Sequence, residues 1–252
     1  MSTLPSNPTI ELMRSHVSVR SFNDMPVTDE MVDAIVEAAR RSPTSSNWQT
    51  YSVIVIRDQD RKDRLAALAG GQDHVAESQV FLAFAADIRR LTQAGSLHGE
   101  TPAGGLNQAM VSIVDATIVG QSAQIAAESF GLGAVMVGGL RRDPQGVADE
   151  LGLPDGVFVV FGMSVGWPAG DPLAPGLKPR LPAELVVHHE QYSDDGADEL
   201  IERYDAELKA FYERRGRNLA DAAWSAPVAS RSAVRSYTEL APFLRKQGFT
   251  LD

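Results

Sequence analysis

The stretch NQAMVSIVDATIVGQSAQIAAESF, residues 107–130, decides how the rest of the chain is read. It is the longest helical pattern in the sequence, apolar on most sides, with Gly120 inside it and Gly131 closing it. A helix that is apolar all round is a buried one, in a large core or in a subunit interface. Strand-like segments lie on either side. Residues 80–86 form a continuous apolar run of strand length, the pattern of a strand covered on both faces. Residues 51–56 are β-branched and aromatic, and shorter and longer apolar runs follow at 134–137 and 157–165. Helices fill the intervals. Thr28 caps one that carries Asp29 and Glu30 in its first turn, repeats Met31, Val32, Ile35, Val36 and Ala39 at helical spacing, and stops before Pro43. A second runs over 60–69 to Gly70-Gly71, and a third opens at Asp143-Pro144 and ends at Gly152. Residues 198–215 form an amphipathic helix with Leu200, Ile201, Tyr204, Leu208 and Phe211, and 238–247 a weaker one. Residues 92–106 hold four glycines with little periodicity and read as a loop, either a lid or a bare connector.

The chain has 252 residues and no cysteine. It is long enough to bury a sizeable core, and it has no thiolate for a disulfide, a zinc site or an iron–sulfur cluster. No basic segment followed by an apolar run marks a signal peptide, and no apolar run approaches the roughly 20 residues of a membrane span. A net charge of -10 disfavours nucleic acid and anionic membrane surfaces as partners. Any anion site must therefore be local.

Four polar constellations remain. In His16-Val17-Ser18-Val19-Arg20, period two places His16, Ser18 and Arg20 on one face, a set of anion donors with one rigid fork. The same pattern alone would also suit the wet face of an edge strand. In Gly176-Leu177-Lys178-Pro179-Arg180-Leu181-Pro182 the prolines favour extended backbone, so Lys178 and Arg180 face the same way. Residues 44–49, Thr44-Ser45-Ser46-Asn47-Trp48-Gln49, are dense in hydroxyls and amides, as an ordinary turn also is. Gly138-Gly139 after a short strand lets backbone approach a flat ring. Phosphate donors, polyol partners, a flat-ring seat and a polar ring edge together describe FMN. No Gly-x-Ser-x-Gly elbow, Walker loop or zinc-type His-Glu-x-x-His is present. His188 and His189 are neighbours on an extended segment and face apart, so they do not converge on a metal. His74 and His98 read as surface or cap residues.

The sequence resembles the FMN-dependent nitroreductase family, nearest the oxygen-insensitive nitroreductases and NADPH–flavin oxidoreductases. The resemblance rests on the His-x-Ser-x-Arg stretch, the Ser-rich Asn-x-Gln loop, Gly70-Gly71-Gln72-x-His74, Gly133-x-x-Met136-Val137-Gly138-Gly139-Leu140-Arg141, Phe161-Gly-x-x-x-Gly166-Trp167-Pro168 and Leu177-Lys178-Pro179-Arg180-Leu181-Pro182. They occur in the family's order over almost the whole chain. The resemblance implies an α+β, three-layer fold with a mainly antiparallel sheet, an intertwined homodimer with FMN at the subunit interface, and a single domain over 1–252 with an excursion from about 183 to 252. It implies that His16 and Ser18 contact the phosphate and ribityl end, with Lys178 and Arg180 as its cations, and that Arg20 reaches the pyrimidine edge. Thr44, Ser45, Ser46, Asn47, Gln49 and Gln72 would line the cofactor, and Met136, Val137, Gly138 and Gly139 would lie against the ring. Val17 stands where the subgroup commonly has arginine, but off the ligand face, and Asn47 where the nearest relatives have an apolar residue. Arg215 before Gly216 matches the subgroup's site for the NADPH 2′-phosphate; its second arginine would be Arg231 or Arg235, since Tyr237 occupies the gapless position.

The implied activity is a cytoplasmic, NADPH-dependent FMN oxidoreductase. It would pass two electrons as a hydride, in ping-pong order, to a nitroaromatic, a quinone or a free flavin. Two other readings remain open at this point: a non-reductase FMN enzyme on the same scaffold, and a non-catalytic flavin-binding module.

Overall fold

The computed structural model describes residues 4–174, 176–216, 222–234 and 237–249. Two compact units emerge. The first takes the chain up to Pro172 and again from Tyr237, and the second takes the residues between. In the first unit the order is α1 (Pro8–Arg14), α2 (Asp29–Ala39), β1 (Tyr51–Ile56), α3 (Gln59–Leu68), α4 (Asp73–Glu77), β2 (Val80–Asp87), α5 (Arg89–Ser96), α6 (Leu106–Ser129), β3 (Gly133–Val137), α7 (Pro144–Leu151) and β4 (Val157–Gly166). The second holds α8 (Ala197–Arg214) and α9 (Ser225–Ser232), after which α10 (Leu240–Lys246) belongs to the first again.

Four strands form one sheet in the order β1-β2-β4-β3, with every pair antiparallel. The two central strands, β2 and β4, are buried at every position, which is why both read as unbroken apolar runs. Their alternation sorts residues into two cores. Val80, Leu82, Phe84 and Ala86 join Ile35 of α2 and Ala116, Val119 and Ala123 of α6. Phe81, Ala83 and Ala85 join Leu65 of α3, Val75 of α4 and Val147 of α7 on the other face. The result is three layers, helices on both sides of an antiparallel sheet. A β-bulge in β4 switches its parity: Phe84 pairs with Phe161 and Ala85 with Val159, so Val160 has no partner between them. Val157 and Val159 therefore face α3 and α7, whereas Phe161, Met163 and Val165 face α6.

Helix α6 is about 36 Å long at 1.5 Å per residue. One face packs on the sheet and α2. Leu106, Met110 and Val114 form an exposed apolar row at 47, 56 and 50% exposure. By length and composition this helix would also suffice to cross a bilayer, which counting uninterrupted apolar residues does not register. Its packing as a core helix accounts for that composition.

Local signals set most of the ends. Thr28 Oγ1 accepts the Met31 N–H, Asp143 Oδ1 accepts the Gly146 N–H, and Gly152 closes α7 in the left-handed region. A loop is expected over residues 92–106, but 92–96 belong to the helix α5. Arg90 donates to the Tyr51 carbonyl at 2.5 Å and to Ser52 Oγ at 3.0 Å, and this anchoring holds a helix that the glycine-dotted sequence does not advertise. Helices α1, α4 and α9 are likewise too short for periodicity to reveal. Phe158 of β4 meets Phe243 and Phe249 at ring distances of 6.3 and 6.2 Å, which docks α10 on the first unit.

Candidate active site

Residues 16–20 run extended along the outer edge of β3. Ser18 bridges to Ala134, and the Val19 N–H donates to the Ala134 carbonyl at 3.1 Å. Val19 is buried against Gly133, where a Cβ would come within 2.6–2.7 Å of three Val19 carbons. Glycine at 133 is thus what lets this segment lie so close. Ser18 and Arg20 are exposed on one side, as period two requires, and Arg20 Nη1 donates to the Ser18 carbonyl at 3.3 Å. His16 is half-buried and engaged by α6. Its Nδ1 lies 2.5 Å from Glu128 Oε1 on α6, and Gln124 Nε2 is 2.8 Å from the ring nitrogen and 3.2 Å from the same carboxylate oxygen. Nδ1 is thus engaged by the Glu128 carboxylate and the Gln124 amide, and Nε2 is the ring nitrogen that these two leave for a ligand.

Gln72, Gly138 and Gly139 meet at the end of β3. The Gln72 Nε2 donates to the Ala69 carbonyl at 3.0 Å, and these two groups fill the space that a Cβ on Gly139 would need. Arg141 donates to the Val160 carbonyl at 2.6 Å, and it flanks the Tyr237 ring together with Arg142, at 5.7 and 5.9 Å. Met136 is half-buried and Val137 fully buried on β3. His74 is not the surface residue its position suggests. It is half-buried on α4, with Nδ1 3.2 Å from the hydroxyl of the buried Ser164. Burial, and then the nearby Arg20 guanidinium, hold its imidazole below the ordinary value.

Residues 44–49 are anchored separately, on α6. Ser45–Asn47 make a single 3-10 turn, and Ser46, Asn47 and Gln49 all have left-handed φ, at 49°, 57° and 52°. Such non-glycine positions cost of order 1–3 kcal/mol each and persist only where the surroundings impose them. Asp115 is the imposing group: Oδ1 accepts the Ser45 N–H at 3.1 Å, and Oδ2 accepts the Thr50 N–H at 3.1 Å and the Thr50 hydroxyl at 2.8 Å. Thr44 is half-buried, while Ser45, Ser46, Asn47 and Gln49 are exposed.

In the second unit Lys178 and Arg180 are both exposed on one extended segment, and Arg180 Nη1 donates to the Lys178 carbonyl at 3.1 Å. This repeats the i to i−2 contact of Arg20 with Ser18. The Tyr204 hydroxyl donates to the Pro179 carbonyl at 3.1 Å and ties the segment to α8, and the Lys178 ammonium lies 5.5 Å from the Tyr212 ring. Arg215 caps the end of α8 over the Phe211 ring at 5.2 Å. Arg231 sits in α9, and Arg235 lies outside the described residues.

The structure thus draws Ser18, Arg20, Gln72 and the Gly138-Gly139 backbone to β3 and its neighbours, and holds the hydroxyl-rich loop on α6. These donors suit a ligand with an anionic end, several hydroxyls and a flat ring with polar edges. Sequence reasoning passed over Asp115, Gln124 and Glu128, and it read His74 as a surface or cap residue. One signal was present: Asp115 and Glu128 are the only charged residues in 107–130, and a carboxylate inside an apolar helix needs partners.

The model of the Nitroreductase family matches residues 13–167, and that of the Nitroreductase family, C-terminal domain, matches 178–252. The oxygen-insensitive NADPH nitroreductase of Salmonella typhimurium is 41% identical over 243 residues, covering 96% of this chain and 98% of that protein. An FMN reductase [NAD(P)H] of Bacillus subtilis is 37% identical over 250 residues, covering 98% and 99%. The solved structure of B. megaterium NfrA2 superposes with a TM-score of 0.93 at 37% identity, covering 98% of this chain and all of that one.

Proposed function

The chain belongs to the nitroreductase family, and on that premise we propose that it is an FMN-dependent NAD(P)H oxidoreductase. FMN is the cofactor and NADPH the electron donor. The observation that carries the reading is the pair of exposed residues Ser18 and Arg20 on a segment bridged to β3, with Gln72 against Gly139 just past the end of that strand, in a chain similar over nearly its whole length to an FMN reductase. FMN, when bound, supplies the two-electron chemistry, so no protein nucleophile or histidine base is required.

The residues bind and orient. Lys178 and Arg180 take the phosphate, with Ser18 and the Nε2 side of His16 at the same end. Arg20 presents a planar fork to the pyrimidine edge of the ring, where negative charge grows on reduction. Thr44, Ser45, Ser46, Asn47, Gln49 and Gln72 hold hydroxyls and the ring edge. Met136, Val137, Gly138 and Gly139 support the ring. Arg215, with Arg231 or Arg235, takes the 2′-phosphate of NADPH. The donor leaves before the acceptor enters, and the acceptor is a nitroaromatic, a quinone or a free flavin. We assign the exposed row Leu106, Met110 and Val114 on α6 to a homodimer interface, because three large apolar side chains at i, i+4, i+8 are otherwise left in water. The enzyme works in the cytoplasm, where NADPH is held.

The test is steady-state oxidation of NADPH by the purified protein with and without an added quinone. Turnover that depends on quinone and gives parallel double-reciprocal lines is expected. A protein that holds FMN but never consumes NADPH would be a flavin-binding module or a non-reductase instead. A folded, FMN-loaded monomer in sedimentation at low micromolar concentration would remove the dimer.

A further inference from the structure

Among the described carboxylates, Asp115 is the most deeply buried, at 1% exposure, and the proposed chemistry gives it no part. We infer that Asp115 is the positioning residue that fixes the 44–49 loop in its ligand-holding shape, an inference that rests on the FMN reading above. All three groups it meets are donors: the Ser45 N–H, the Thr50 N–H and the Thr50 hydroxyl. An ionised carboxylate is acceptor-only, so the match is complete. One side chain therefore grips both roots of the loop, and the three left-handed residues Ser46, Asn47 and Gln49 lie between those roots. The segment contains no glycine to make such backbone easy. Held from below, the loop keeps its exposed hydroxyls and amides arranged before a flavin arrives, which removes the ordering cost from binding.

The chemistry of the grip selects the test. Asp115→Asn keeps shape and volume but replaces one oxygen with an NH2 group. The better orientation keeps the amide oxygen on Thr50 and turns NH2 toward the Ser45 N–H, so two donors face each other. The Ser45 root is then released. Flavin-free Asp115→Asn and the parent protein are titrated with FMN and with riboflavin. Both dissociation constants should rise by the same factor, about ten- to a hundredfold, the worth of one charge-assisted bond and a donor left unpaired. The emission of Trp48, which lies in the loop and is 36% exposed, should shift in the flavin-free variant. Unchanged affinities in a folded variant, or a loss confined to FMN, would overturn the inference.

Hydrogen exchange of the flavin-free parent decides the matter if Asp115→Asn does not fold. The Ser45 and Thr50 amides should be protected, and exchange of both at the rate of an unstructured peptide would contradict the grip. A parent protein that takes up neither flavin would defeat the FMN reading, while protected Ser45 and Thr50 amides would still show the loop held.

Discussion

Replacing Lys178 and Arg180 together with alanine separates the phosphate from the rest of the cofactor. Both side chains are exposed. Their contacts among the described residues include the Arg180 bond to the Lys178 carbonyl at 3.1 Å and the Lys178 approach to the Tyr212 ring at 5.5 Å. Neither contact carries much stability at an exposed site, so the melting temperature should hardly move. Binding should respond far more. Charge-assisted hydrogen bonds are worth roughly 1.5–3 kcal/mol each. Two of them amount to about 3–6 kcal/mol, or about two to four decades in Kd, with the lower end applying at physiological salt. Riboflavin lacks the phosphate and should bind the variant and the parent alike. The assay is fluorescence titration of the flavin-free protein with each ligand at low and at physiological ionic strength. Salt should weaken FMN binding to the parent and leave the variant nearly insensitive. Tyr204→Phe, which removes the tether to the Pro179 carbonyl, should cause a smaller loss in the same sense. Equal losses for FMN and riboflavin, or none for either, would refute the assignment of the two cations.

Other consequences follow from the same geometry. Arg20→Ala, loaded with excess FMN, should have a more negative flavin midpoint potential, measured by dye equilibration; an unchanged potential would leave Arg20 a binding role only. Gly133→Ala places a Cβ within 2.7 Å of three Val19 carbons and should cost about 1–3 kcal/mol in denaturant unfolding, with looser FMN binding because residues 16–20 lift from β3. His74 has its proton affinity depressed in the folded state, by burial first and Arg20 second, so the unfolded chain binds more protons in acid. Stability should therefore be intact above the ordinary imidazole value of 6.5 and decline as pH falls below it; His74→Gln should flatten that decline, and identical pH profiles would refute the placement. Arg215→Ala should erase most of a ten- to hundredfold preference, roughly, for NADPH over NADH in kcat/KM, with NADH kinetics unchanged; equal use of both donors by the parent would defeat this outright.

The main elements of the sheet and its flanking helices were legible because their signals are local, whereas their arrangement in three layers was implied by the family resemblance. β1 and β2 start at the residues the apolar runs mark, and Thr28, Asp143 and Gly152 cap and close their helices as their side chains or backbone freedom dictate. The β4 bulge was not legible. Val157–Gly166 is apolar throughout, so nothing in the sequence shows where its parity changes; that is settled by its pairing with β2. The site divides in the same way. Ser18 and Arg20, and likewise Lys178 and Arg180, are exposed, as residues offered to a ligand must be, and each arginine folds back on the carbonyl two residues before it. The His16 ring meets a carboxylate 112 residues away and His74 a hydroxyl 90 residues away, partners that the local sequence does not show. The left-handed conformations of Ser46 and Gln49 are equally silent in the sequence, since both residues are ordinary turn formers and the carboxylate that holds the two ends of their loop, Asp115, lies 65–70 residues away.

The central claim is tested most directly by the visible spectrum of the purified protein after incubation with FMN and removal of the excess, recorded anaerobically before and after addition of NADPH. The account predicts a bound oxidised-flavin spectrum that NADPH bleaches and that a quinone restores. A colourless protein that retains no FMN, or a bound flavin whose spectrum NADPH leaves untouched, would contradict it.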